Sequence, residues 1–133
     1  MQDKHNFTKD KTIVITGGSG FLGKHLQTAF DPYQKDNKII FLSRSDCDMM
    51  SYHDVEEMIF SYSPDIVIHT AWQIRELYGK QDVQWKWNVI GSEKVFDFVF
   101  AQPSVKRFVH FSTVSSYGAL SSNTLQDVFT EDV

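Results

Sequence analysis

Thr12-Ile-Val-Ile-Thr-Gly-Gly-Ser-Gly-Phe-Leu-Gly23 is the stretch that decides the fold. Thr12 to Thr16 is a β-branched, apolar run of strand length. Gly17, Gly18, Gly20 and Gly23, four of the seven glycines in the chain, follow at once. Leu22, Leu26 and Ala29 then fall at i, i+4 and i+7, one face of a helix. A strand that turns through glycines into a helix leaves backbone N–H groups pointing outward with no Cβ in the way, which is what a phosphate needs. The spacing is G-x-x-G-x-x-G (Gly17, Gly20, Gly23), not the G-x-G-x-x-G of many dinucleotide sites. No Lys-Ser or Lys-Thr pair follows Gly23, so a Walker A loop is excluded. The bland alternative is a tight turn rich in glycine. Set between a strand and a helix, the loop reads as a dinucleotide-phosphate cradle.

Outward from that loop the pattern repeats. Asp31-Pro32 ends the first helix, and Lys38 to Ser43 is a second buried strand. Ser51 with Asp54 three residues on resembles a capping box. Val55, Met58, Ile59 and Tyr62 follow at i, i+3, i+4 and i+7 until Pro64 stops the helix. Asp65 to Thr70 is a third strand. From about Asp82 to Ala101, the residues Trp85, Val89, Ser92, Phe96, Val99 and Phe100 trace a longer helix, and Arg107 to Ser112 is a fourth strand. Strands and helices in strict alternation predict right-handed βαβ crossovers: an α/β fold, a doubly wound parallel sheet covered on both faces. Met1 to Lys11 is a polar segment ahead of a single domain running from Thr12 to Val133. Ser121 to Val133 is polar and aperiodic, and the sheet is expected to be incomplete at its C-terminal side.

Composition narrows the partners. The chain has 133 residues, 41% hydrophobic and 23% charged, which excludes collagen, a Cys-rich scaffold and a disordered chain. Thirteen Lys and Arg against seventeen Asp and Glu give a net charge of −4 with no basic block, so no nucleic-acid or membrane partner is expected. Apolar runs such as Ile39 to Leu42 and Phe98 to Ala101 reach only four residues, too short to span a bilayer. The polar N-terminus is no signal peptide, and the lone Cys47 has no disulfide partner, so a reducing cytoplasm is the simplest home. His69 and His110 lie inside strands and read as core or pocket-wall residues; His5, His25 and His53 show no ligand spacing with Cys47, and no metal is expected.

Four ordered motifs carry a resemblance. Thr16-Gly-Gly-Ser-Gly-Phe-Leu-Gly23 resembles the nucleotide-binding signature of the extended short-chain dehydrogenase/reductase family, the nucleotide-sugar epimerases, dehydratases and reductases. Asp65-Ile-Val-Ile-His-Thr-Ala71 resembles the family's D-x-V-x-H-x-A, and Asn88-Val-Ile-Gly-Ser92 its N-V-x-G-T. Phe111-Ser-Thr-Val-Ser-Ser-Tyr-Gly118 resembles its S-S-x-x-V-Y-G. The resemblance spans Thr12 to Gly118 and implies a Rossmann-type domain that binds NAD(P). It places Gly17, Gly20, Phe21, Leu22 and Gly23 at the pyrophosphate, Asp48 and Met49 at the adenine, and Thr70 and Ala71 under the pyrophosphate and nicotinamide ribose. Trp72 departs from the small residue usual there and is either pocket wall or core, and Ser116 replaces an aliphatic residue.

The residue after the second strand reads the adenosine ribose, where a carboxylate favours NAD and an arginine favours the 2′-phosphate of NADP. Counting 21 positions from Gly23 gives Arg44, flanked by Ser43 and Ser45, so NADP is the expected cofactor; Asp46 nearby leaves NAD open. The resemblance assigns the catalytic Ser/Thr to Thr113, with Ser112 and Ser115 as competitors, and a structural role to Tyr117. The family's acid–base pair is Y-x-x-x-K, and position four after each Tyr is here Asn37, Glu56, Ile66, Asp82 or Ser121. This chain therefore reads as the front of a longer protein, without the Tyr/Lys helix and the substrate domain, and is expected to bind cofactor without turnover. The whole protein would take a small-molecule nucleotide-sugar substrate and form a homodimer through helices of this part. The rival reading is a non-catalytic NADP(H) sensor or interaction module; a Y-x-x-x-K downstream of Val133 would support the enzyme, and its absence would leave the sensor ahead.

Overall fold

The computed structural model describes residues 9–48, 51–72 and 81–111. Strand β1 (Thr12–Thr16) leads through the glycine loop into α1 (Phe21–Phe30). A short 3₁₀ turn at Asp31–Tyr33 follows, with Pro32 in its first turn, where a missing N–H costs nothing. Next come β2 (Lys38–Leu42), α2 (Tyr52–Tyr62) and β3 (Ile66–His69). A helical stretch then runs as α3 (Gln81–Trp85), a π-helical turn (Lys86–Ile90) and α4 (Gly91–Ala101), before β4 (Arg107–His110). All pairings are parallel and the strand order is β2-β1-β3-β4, as expected of a Rossmann-type α/β domain.

The right-handed crossover rule fixes the layers. The step from β1 to β2 runs opposite in the sheet to the steps from β2 to β3 and β3 to β4, so α1 lies on one face and α2 and α4 on the other. Val14, Leu42 and Val67 accordingly pack with Val55, Met58, Val95, Phe98 and Val99. Ile13, Ile15 and Ile68 face the other way, toward Leu26 and Phe30 of α1. Below the sheet, Asp65 ties two strands: its carboxylate accepts from Thr12 N–H (2.8 Å) and its carbonyl from Lys106 N–H (2.8 Å).

Two local expectations change. The capping box at α2 is only half formed: Asp54 N–H donates to Ser51 Oγ (3.2 Å), but the Asp54 carboxylate accepts from Asp48 N–H (3.0 Å) instead of Ser51. The last helix buries only part of the stripe its periodicity predicts: Ser92 and Val99 lie inside as expected, and Val89 and Phe96 are half-buried. Trp85 and Phe100 are exposed, at 58% and 76%, while Asn88, Ser92, Val95, Phe98 and Val99 are buried. The π-helical turn adds a residue between Trp85 and Ser92 and rotates Trp85 out of phase, which a fixed 3.6 period cannot anticipate; Phe100 lies in regular helix, off the face of Val95, Phe98 and Val99.

Candidate functional site

The strand order reverses between β1 and β3, and in open α/β sheets the crevice beyond the carboxyl ends of such strands is where ligands bind. Gly17 opens that crevice. Its φ of +70° is a left-handed conformation that a side chain disfavours. A Cβ on it would also stand 2.7 Å from Thr70 Oγ1 and 2.8 Å from Ala71 N, so the loop lies directly on the turn after β3. A Cβ on Gly23 would collide with the carbonyl oxygens of Gly17 and Gly18, so the first turn of α1 sits against the same loop.

Gly20 is different. It caps α1 in an extended conformation (φ −74°, ψ 179°) open to any residue, and the nearest atom to an added Cβ is Gly17 O at 3.3 Å. The backbone conformation there does not call for glycine, and an added Cβ would press on that one oxygen alone. The space that its missing side chain leaves belongs to a cleft of about 230 Å³, bounded by the glycine loop, by Ser43 and Arg44, and by Thr70, Ala71 and Trp87. The first turn of α1 has no acidic residue and its cap no side-chain hydrogen bond, so the positive end of the helix faces the cleft uncompensated. A larger cavity of about 370 Å³ lies beside β2, but Asp46, Asp54 and Glu57 line it, and their charge disfavours a phosphate.

Thr16 holds the floor of the crevice. Its buried Oγ1 accepts from Thr70 N–H (3.1 Å) and Ala71 N–H (3.2 Å), which uses both lone pairs. Its proton must then go to His69 Nδ1, 2.7 Å away, which leaves His69 Nε2–H to donate to Ser92 Oγ at 3.0 Å. Burial, with a further contribution from His110, pushes the His69 pKa down to about 4, and the ring is neutral. One chain of hydrogen bonds thus joins β1, β3 and α4 beneath the glycine loop. His69 is a satisfied core residue, as expected. His110 is exposed on β4, stacked with His69 at 5.8 Å between ring centroids.

The Ser43–Asp46 turn presents Arg44. Asp46 accepts from Ser43 N–H and Ser43 Oγ–H, both at 2.7 Å, and these bonds hold its carboxyl below the usual range. The Arg44 guanidinium lies over the Trp87 ring, 4.3 Å from its centroid. Burial, then the charges of Asp54, Asp48 and Asp46, pushes the Cys47 thiol up to about 12, so it lines the cleft as an inert group.

Of the residues singled out from the sequence, Gly17, Gly20, Arg44, Thr70 and Ala71 line one cleft. Leu22 and Gly23 lie on α1 behind the loop, and Phe21 is 79% exposed at its start. Asp48 is half-buried beyond the cleft, toward α2. Met49 and Thr113 lie outside the described residues. Trp72, for which a core place was open, is 50% exposed on the cleft rim. Trp87 and the Thr16–His69–Ser92 chain were not picked out from the sequence; the histidine inside an apolar strand was their one visible sign. Among the described residues, no group of three or more His, Cys, Asp or Glu is placed to hold a metal, and no helix is long and apolar enough to cross a membrane.

Known proteins are similar to this chain in sequence and fold. A GDP-L-fucose synthase of Dictyostelium discoideum is 28% identical over 102 residues, with 69% of this chain and 32% of that protein covered. A crystal structure of a GDP-L-fucose synthetase from Naegleria fowleri, bound to NADP, matches with a TM-score of 0.68 at 25% identity, over 77% of this chain and 31% of that one. The fold is also that of a dTDP-4-dehydrorhamnose reductase from Bacillus anthracis solved with NADP (TM-score 0.65, 24% identity, 74% and 35% covered). The chain spans about a third of the length of these relatives. The model of the NAD dependent epimerase/dehydratase family matches residues 13–132, through both the glycine loop and the turn after β3 on which it lies, and the chain belongs to that family.

Proposed function

We propose that the chain is the dinucleotide-binding part of an NADP(H)-preferring enzyme that acts on a nucleotide-linked sugar by hydride transfer. The observation that carries this is Gly20: a glycine that its backbone conformation does not call for, at the uncapped positive end of α1, on the cleft at the switch point. The two NADP-bound relatives support the choice of cofactor.

In this reading the backbone N–H groups of Phe21, Leu22 and Gly23, the first turn of α1, hold the pyrophosphate, while that of Gly20 donates to Gly17 O. Thr70 and Ala71, pinned by Thr16, pass beneath it. Arg44 meets the 2′-phosphate as a planar fork of donors, and Ser43 and Ser45 stand beside it. Asp48 and Met49 take the adenine, and Thr113 orients the substrate oxygen. The nicotinamide, when bound, supplies the hydride chemistry. The protein's part is to bind, to orient and to keep the pyrophosphate off bulk water.

The test is calorimetric titration of the chain with NADPH and with NADH. NADPH should bind, and more tightly than NADH. Binding of neither would overturn the reading, and equal affinities would overturn its NADP preference.

A further inference from the structure

We propose that Trp87 is a positioning residue that sets the cofactor preference by holding the Arg44 guanidinium over its ring at the mouth of the cleft; this rests on the reading of Arg44 as the partner of a 2′-phosphate. Arg44 is exposed at the tip of a tight turn, where a long side chain would otherwise sample many rotamers. Its guanidinium carbon instead lies 4.3 Å from the Trp87 ring centroid, within the range of a cation–π contact. A guanidinium that meets a ring through its face keeps its five N–H donors, which lie in the plane, available to a phosphate. Among the described residues no carboxylate is within ion-pair range of Arg44, so its charge is not already spent on a partner.

The backbone has a specific device for placing this ring. Trp87 is the second residue of the π-helical turn Lys86–Ile90, and such turns recur at functional sites. The rotated phase puts Trp85 in solvent while Trp87 packs partly on the core and partly borders the cleft. Asn88, the next residue along the turn, is buried. A ring anchored by its buried edge is a rigid platform. The same contact at a freely exposed tryptophan would order Arg44 far less.

Trp87→Leu keeps the apolar filling and removes the ring; Trp87→Phe keeps a smaller ring. Calorimetry with NADPH and NADH on both variants, on Arg44→Ala and on the double variant Arg44→Ala/Trp87→Leu reads the effect. Trp87→Leu should weaken NADPH by about two- to fivefold and lower the NADPH-to-NADH preference by a similar factor. Trp87→Phe should restore most of that preference. With Arg44 already replaced, Trp87→Leu should change NADPH affinity no further. An unchanged preference in Trp87→Leu, or the same loss with and without Arg44, would overturn the assignment while leaving the cofactor site intact. If wild type binds NADPH but Arg44→Ala keeps its full preference, the reading of Arg44 fails, and the role of Trp87 falls with it. Should Trp87→Leu fail to fold, an unaltered preference in Trp87→Phe together with a full-strength effect of Arg44→Ala would decide against the platform.

Discussion

His69 Nδ1 lies 2.7 Å from Thr16 Oγ1, and this contact carries the turn after β3 on the end of β1. Thr16→Val keeps the shape of the side chain and removes the hydroxyl. Two backbone N–H groups and a ring nitrogen, buried or partly so, would lose their partner, at roughly 1–3 kcal/mol for each group left unsatisfied. We expect a loss of at least about 2 kcal/mol by urea denaturation. A loss under about 0.5 kcal/mol would mean the hydroxyl is not the hub.

The same histidine gives stability a pH dependence. Its pKa is about 4 when folded, against an ordinary 6.5. The unfolded chain therefore binds the extra proton between those values, and stability falls as pH drops through that window. The contribution is complete above about pH 6.5 and amounts to about 3 kcal/mol at most. Denaturation curves at pH 7 and pH 4 should diverge for wild type and converge for His69→Gln, which keeps an acceptor and a donor but does not titrate. Equal pH slopes in the two proteins would contradict it.

Arg44→Ala should weaken NADPH by about 1.5–3 kcal/mol, the scale of charge-assisted hydrogen bonds to a phosphate, and NADH much less. Competition titration of the two nucleotides reads the difference directly. Equal losses for both would mean that Arg44 only covers the adenine.

The strands were legible because strands of a parallel sheet are near-continuous apolar runs: Thr12–Thr16 is β-branched throughout and buried at four of its five positions, and the edge strand Lys38–Leu42 is apolar after its lysine although only Leu42 is buried. The glycine loop was legible for a related reason, since a left-handed residue and two close approaches leave glycine little competition at Gly17 and Gly23. What failed to show was non-local. Thr16 and His69 are 53 residues apart and His69 and Ser92 are 23 apart, and no pattern within a window links them. The π-helical turn left no periodic signature, so Trp85 was placed on the inner stripe and Trp87 was passed over.

The most direct test of the cradle is Gly20→Val titrated with NADPH. The backbone at Gly20 is open to valine, and an added Cβ meets one atom tightly, Gly17 O at 3.3 Å, so the variant should fold at a cost of about 1 kcal/mol. Gly17→Ala is the contrast, because a left-handed backbone and a Cβ 2.7 Å from Thr70 Oγ1 should cost it stability as well. In Gly20→Val the branched side chain fills the space a pyrophosphate needs, and calorimetry should show no NADPH binding by a folded protein. Wild-type affinity in that variant would contradict the phosphate cradle.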